Sequence, residues 1–203
     1  MARLLLLLWL VPLAAEQWRV RYFYDEKDST LTITDFQFPF ARRGVAVGVI
    51  DNGKKPRPVS VISTDAGAHW EVRTLSEPPL SLFFLNEDLG WMVTSPHPWE
   101  NRIWRTMDGG LSWRGLPAIQ PQIKRVLFAD AKHGWAIGSR RTVLETVDAG
   151  QTWQPVAGVQ ADSSFKYDVA YEWITFANPQ VGLIVAGLYR HAGLRRYERG
   201  QQN

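Results

Sequence analysis

Cysteine is absent from the 203 residues. That removes a disulfide framework, a thiolate metal site, a cysteine nucleophile and a lipidated cysteine anchor together. Sustained helical periodicity is missing too, since no window repeats its apolar residues every three to four positions. Past the N-terminus no run approaches the roughly 20 apolar residues a spanning helix needs, so no transmembrane segment is expected in the mature chain. A basic folded surface is also lacking, despite a sequence pI of about 9.3. Four arginines (Arg190, Arg195, Arg196, Arg199) crowd the C-terminal tail against Glu198. Setting these and the leader's Arg3 aside from the 23 basic and 20 acidic residues leaves 18 against 19. A nucleic-acid binder carries its charge on the folded part, so no nucleic acid is expected as partner. No Gly-rich phosphate loop, Walker-type motif or Gly-x-Ser-x-Gly elbow occurs. His69, His97, His133 and His191 show no metal-ligand spacing. No metal and no cofactor are expected.

What is present begins at the N-terminus. Met1-Ala2-Arg3 gives a short positive start, Leu4 to Leu13 an apolar core of ten residues, and Ala14-Ala15 precede the polar Glu16-Gln17. This is the anatomy of a signal peptide over residues 1–15, with cleavage after Ala15. The expectation is export, to a periplasmic, extracellular or thylakoid-lumen-like compartment, of a mature chain 16–203.

The ten tryptophans are largely periodic. STDAGAHW (63–70), TMDGGLSW (106–113) and TVDAGQTW (146–153) all read Ser/Thr-x-Asp-x-Gly-x-x-Trp. Their aspartates, Asp65, Asp108 and Asp148, lie 43 and 40 residues apart, the period of a propeller blade. A second mark repeats in the same register. Phe38, Phe84, Phe128 and Phe176 each precede a glycine by six residues: Gly44, Gly90, Gly134 and Gly182. Apolar runs follow each glycine (VAVGVI, WMVTS, WAIGS, LIVAG) and β-prone runs lie before the phenylalanines (LTITDFQF, LSLFF, KRVLF, YEWITF). Outer strands are expected from the box tryptophans, at WEVRTL, WRGLP and WQPVA. Four strands per unit of about 40–50 residues predicts an all-β chain, a β-propeller of Asp-box (BNR-like) repeats with about four four-stranded blades.

The box residues are folding devices. Asp accepts backbone N–H bonds from residues just ahead of it and closes an Asx-type turn between third and fourth strands. The glycine two places on supplies a positive φ, and the tryptophan buries a large ring with its N–H at the edge. Asp65, Gly67 and Trp70, Asp108, Gly110 and Trp113, and Asp148, Gly150 and Trp153 are therefore read as structural, and no residue is assigned as catalytic.

The ends leave the blade count open. Trp18-Arg-Val-Arg matches Trp70-Glu-Val-Arg, so residues 18–24 look like an outer strand without the rest of its blade. RYERGQQN (196–203) aligns with a box, but Glu198 replaces Asp and the Trp is missing. The expected units are a closing strand at 18–35, blades at 36–76, 80–117 and 122–157, and an incomplete unit at 165–203. Either the N-terminal strand completes a fourth blade and closes a small ring, or the chain is part of a larger, six- to seven-bladed propeller. The Arg-rich tail from Leu188 favours the second.

On the three boxes, the Phe-x5-Gly marks and the strands GVAVG, GWMVT and GWAIG, residues 17–187 resemble the photosystem II stability/assembly factor-like family. The resemblance implies an exported seven-bladed scaffold that binds a partner protein, a subunit of a membrane complex, during assembly, and it brings photosynthesis into view. The boxes also occur in sialidases, some endoglucanases and sortilin-type receptors, so alone they specify fold and not activity. A carbohydrate-active propeller, either a glycoside hydrolase or a glycan-binding module, is the alternative. The Arg-Ile-Pro string of sialidases is missing; Asn101-Arg102-Ile103-Trp104 comes nearest. For partner binding, the places that break the repeat are Arg42, Arg43 and Lys132 in equivalent turns, and Trp99 on the loop SPHPWENR. The stretch 158–172 is expected to be an inserted loop. The oligomeric state is not readable from the sequence.

Overall fold

The computed structural model describes residues 20–97, 100–119, 122–157, 167–178 and 181–190. The expected signal peptide, Trp99 and the degenerate box at 196–203 lie outside them.

Every regular element among the described residues is a strand. Blade 1 contains β1 (Thr30–Phe40), β2 (Arg43–Asp51), β3 (Arg57–Ser63) and β4 (Glu71–Thr74); blade 2 contains β5 (Pro79–Phe84), β6 (Gly90–His97), β7 (Glu100–Thr106) and β8 (Arg114–Gly115). Blade 3 contains β9 (Ile123–Phe128), β10 (Gly134–Gly138), β11 (Val143–Thr146) and β12 (Gln154–Pro155); β13 (Tyr167–Asn178) and β14 (Val181–Arg190) form the start of blade 4. Each of the first three sheets is an antiparallel meander in chain order, and the fourth is a two-stranded pair. First strands are neighbours at the axis: β1 packs on β5, β5 on β9 and β9 on β13.

This arrangement explains why the second strands read as unbroken apolar runs. A blade is covered by a neighbour on each side, so both faces of its central strands are buried, and alternation disappears. In β6, Met92 joins Val45, Val47, Leu82 and Phe84 between blades 1 and 2. Its sequence neighbours Trp91 and Val93 point the other way and join Ile123, Val126 and Phe128 between blades 2 and 3. A third layer, with Ile137, Val143 and Ile174, fastens blade 4 to blade 3.

Two boundaries differ from the sequence expectation. Residues 20–29 form no strand, and blade 1 begins at Thr30, so 30–35 belongs to the first blade and not to a closing strand. Tyr22 and Tyr24 nevertheless pack on the apolar flank of blade 1, against the layer of Ile50, Val59 and Val61. The loop expected over 158–172 is shorter, because β13 already starts at Tyr167. Pairing of Tyr167–Tyr171 with β14 extends this strand past the position where earlier blades begin theirs.

Candidate functional site

The three boxes adopt one geometry. In the first, the Ser63 hydroxyl donates to Asp65 Oδ1 (2.9 Å) and accepts from the Gly67 N–H (2.9 Å). The same Oδ1 accepts the His69 N–H at 2.9 Å, and Oδ2 meets the His69 ring at 2.6 Å. In the second box, Thr106 bridges Asp108 and Gly110 (2.8 and 2.9 Å), and Ser112 donates to Asp108 from both its N–H and its hydroxyl. Thr146, Asp148, Gly150 and Thr152 repeat the pattern. The glycines have φ of 81°, 88° and 89°, and the residues before them, Ala66, Gly109 and Ala149, are left-handed as well.

The carboxylates are thereby committed to their own turns, and their acidity reflects it. Asp65 is held well below the usual carboxylate range, first by the His69 backbone N–H and then by the His69 ring. Burial pulls Asp108 upward, but hydrogen bonds from Ser112 and Thr106 outweigh it and leave the group low. The Thr152 hydroxyl and N–H lower Asp148. Trp70 and Trp153 donate their indole N–H to Gly67 and Gly150 carbonyls at 3.1 Å. The Trp113 indole nitrogen is buried with no partner among the described residues.

A backbone bond ties each box to the turn between the first two strands of its blade: Ala66 N–H to Arg42 O, Gly109 N–H to Asp88 O, and Ala149 N–H to Lys132 O, at 2.8–2.9 Å. Boxes and these turns therefore share one face of the array. Arg42, Asp88 and Lys132 occupy equivalent, exposed positions there, so the face is mixed in sign rather than a continuous basic patch. Arg43 does not join them. Its guanidinium lies over Gly109 of the next blade, where a Cβ would stand 2.8 Å from Cζ. His97 and Glu100, which flank the Trp99 loop, pair at the β6–β7 hairpin, at the opposite end of the blade. Of the residues singled out in sequence, Arg42 and Lys132 share the box face and Arg43 turns toward the next blade, while Trp99 lies outside the described residues.

Two polar groupings were not singled out. Near the axis, Asp35 Oδ2 of β1 accepts the Leu82 N–H of β5 (3.0 Å) and pairs with Arg125 Nη1 of β9 (3.0 Å). Gln37 accepts the Phe84 N–H at 2.7 Å. Arg125 also lies 3.8 Å from the centroid of the Trp173 ring on β13, and Lys124 pairs with Glu172 beside it. Side chains of one blade thereby satisfy the open backbone edge of the next, as buried N–H groups require. The sequence signal was present: Asp35 and Arg125 stand three places, and Lys124 and Glu172 four places, before a repeat phenylalanine, inside otherwise apolar runs. The second grouping lies toward the other face. Glu77 is buried and accepts from Thr94 (2.6 Å), Arg102 (2.6 Å) and Trp104 (3.2 Å). It lines an interblade cleft of about 190 Å³ with Arg73, Met92, Trp104 and Trp113. Among the described residues, no cluster of three or more His, Asp or Glu could hold a metal, and no helix is long and apolar enough to cross a membrane.

Comparison with known proteins places this geometry. Residues 116–187 match the family described as Photosynthesis system II assembly factor YCF48. The photosystem II stability/assembly factor HCF136 of Cyanidioschyzon merolae is 30% identical over 77 residues, which cover 35% of this chain and 17% of that protein. The photosystem II assembly protein Ycf48 of Thermosynechococcus vestitus is 42% identical over 41 residues, covering 20% and 12%. The matched stretches thus span less than a fifth of these relatives' lengths. Among solved structures, YCF48 bound to D1 peptide superposes with a TM-score of 0.51 at 26% identity, over 63% of this chain and 40% of that one. Blade 3 and most of the strand pair that follows it lie within the stretch that matches this assembly-factor family, and the chain has a β-propeller blade arrangement.

Proposed function

We propose that this chain is an exported, non-catalytic propeller scaffold that binds a peptide segment of a membrane-complex subunit during assembly. The observation that carries the reading is the likeness, in sequence and in fold, to YCF48, whose solved structure is bound to D1 peptide. The commitment of all three box carboxylates to their own turns supports the non-catalytic part, since Asp65, Asp108 and Asp148 serve their loops. Arg42 and Lys132 are the exposed cations of the box face available to an acidic segment; Arg43 is occupied by Gly109.

The test is binding of the purified mature chain to a labelled D1 peptide, with a scrambled peptide as control. Saturable binding to the first alone is expected. Neutralising Arg42 and Lys132 is expected to slow association and flatten its salt dependence, as exposed rim charges act mainly on encounter rate. Equal binding to both peptides overturns the proposal. Turnover of aryl glycosides or sialosides that survives purification overturns its non-catalytic part. Export is checked by N-terminal sequencing of the secreted product, expected to begin at Glu16.

A further inference from the structure

Asparagine is scarce in this chain, and its few positions differ in chemistry. Asn178 precedes Pro179, whose nitrogen carries no hydrogen. Asn101 is buried and followed by Arg102, and its amide nitrogen donates to Thr94 O at 3.2 Å. Asn86 is followed by Glu87, and its side-chain oxygen takes the N–H groups of Asp88 (3.1 Å) and Leu89 (2.8 Å). Asn52 alone precedes a glycine.

Asn52 and Gly53 lie in the loop between β2 and β3, at the end of blade 1 away from its Asp box. The ladder closes beneath them at the Ile50–Arg57 pair, and both residues are exposed. Gly53 has a φ of 74°, and a Cβ placed on it would meet nothing within 4 Å. No side chain therefore stands between the Gly53 nitrogen and the Asn52 amide, and the surrounding space is open.

Two hydrogen bonds complete the arrangement. The Gly53 N–H donates to Asp51 Oδ1 at 2.8 Å, within the reach a general base needs of the proton it takes. The Lys54 N–H donates to Asn52 Oδ1 at 3.2 Å. That oxygen is where negative charge develops when the amide carbon is attacked, so the donor is aimed as an oxyanion donor must be. Residues 51–54 thus place a proton acceptor, an electrophile, a nucleophile and an oxyanion donor in consecutive positions.

We infer that Asn52 is a self-modification site, at which the Gly53 nitrogen attacks Asn52 Cγ and closes a cyclic imide. The N–Cγ bond forms as the Gly53 proton passes to the Asp51 carboxylate, and the carbonyl electron pair moves onto Oδ1 beneath the Lys54 N–H. Collapse breaks the Cγ–Nδ2 bond. The amide nitrogen leaves as ammonia and takes the proton back from Asp51. Water then opens the imide at either carbonyl, giving aspartate or isoaspartate, and no oxidant or cofactor enters. Holding both partners in one short loop is what makes the closure fast enough to matter. The product carries a new carboxylate beside Asp51 and the exposed Lys54–Lys55 pair. In the isoaspartate form the chain gains a backbone carbon in the loop, outside the paired β2 and β3, so the blade keeps its ladder.

The test follows the purified full-length chain held at mildly alkaline pH, with the synthetic peptide of residues 44–54 as reference. Trypsin cuts after Arg43 and Lys54, so Asn52 is read in that same peptide. Mass spectrometry is expected to show Asn52 exchange its amino group for a hydroxyl, with isoaspartate among the products. Asn86 and Asn101 are expected to stay intact in the same sample. Asn52→Gln is expected to abolish the reaction, because its imide ring would be one atom larger. Asp51→Ala is expected to slow it about tenfold, less than an enclosed general base supplies because the loop is open to water. Both variants are expected to keep the parental circular dichroism. Asn52 left intact after the reference peptide has converted overturns the proposal. So does aspartate without isoaspartate, conversion of Asn86 at the same rate, or an unchanged rate in Asp51→Ala.

Discussion

Phe128 covers Gly134. The two residues are paired directly across β9 and β10, and a Cβ on Gly134 would stand 2.5 Å from Phe128 Cδ1. Phe84 and Gly90, and Phe176 and Gly182, stand in the same relation. The ring fills the space where a side chain would be, which is why the spacing of six recurs. Its other side is left to the neighbouring blade, where Phe128 meets Trp91. Gly134→Ala must push the ring out of this stack, and overpacking of this kind costs about 1–3 kcal/mol. Chemical denaturation of the variant is the measurement. Adding Phe128→Leu is expected to cost less than the two single changes summed, because the clashing ring is gone. Strict additivity would show that the ring yields freely.

The hydroxyl at the start of each box is as important as the aspartate. Thr106 is almost fully buried and serves both as acceptor for the Gly110 N–H and as donor to Asp108. Thr106→Val keeps the shape and removes these bonds together with a longer one from the Asp108 N–H (3.3 Å), leaving the buried Gly110 N–H unpaired, a loss of about 1–3 kcal/mol. For a domain of this size that lowers Tm by about 2–12 °C. Thr106→Ser, which retains the hydroxyl, is expected to stay near the parent. Equal melting of the Val and Ser variants would show that the bonds contribute nothing net.

The acidity of the boxes gives a pH dependence with a definite sign. Hydrogen bonds within their turns hold Asp65, Asp108 and Asp148 below the ordinary carboxylate range in the folded state, and an unfolded Asp titrates near about 3.9. Their contribution to stability is complete above about pH 4 and is lost as pH falls through the folded values, because the unfolded chain takes up protons first. Urea midpoints are therefore expected to fall steeply below about pH 4. Asp148→Asn is expected to lower the midpoint at neutral pH and to make this acid limb shallower. An acid limb of unchanged slope would remove Asp148 from the account.

The fold was legible because its signals are local and repeated. The Asp boxes set one turn per blade, and the Phe-x5-Gly register set the first two strands, so three blades could be placed from sequence alone. What was not legible depends on which blades meet. Nothing in the spacing of Asp35 and Arg125, 90 residues apart, shows that they pair across the axis. Arg43 and Arg42 are adjacent in sequence, but only Arg42 is free on the box face, because Gly109 of the next blade offers a backbone without a side chain for Arg43 to cover. The loop expected up to residue 172 became strand where Tyr167–Tyr171 found partners in β14. Tertiary pairing overrode the punctuation that set the earlier boundaries.

The Asp35–Arg125 pair joins blades that are not sequence neighbours, so its removal tests whether the array is held only boundary by boundary. Both side chains are mostly shielded, at 15% and 23% exposed, and Asp35 has one other donor to its Oδ2, the Leu82 N–H. Arg125→Met keeps the stem that packs on Trp173 and deletes the charge, leaving a partly buried carboxylate short of a partner. The fully buried case costs about 3–5 kcal/mol; partial solvation here brings the expected loss to about 1–3 kcal/mol. Asp35→Asn in the same chain removes the stranded charge while keeping an acceptor for Leu82, so the double variant is expected to recover part of the loss. Equilibrium denaturation of the four chains in the cycle measures this coupling. If Arg125→Met matches the parent, the pair is screened, and the two apolar layers between them alone hold blades 1, 2 and 3 together.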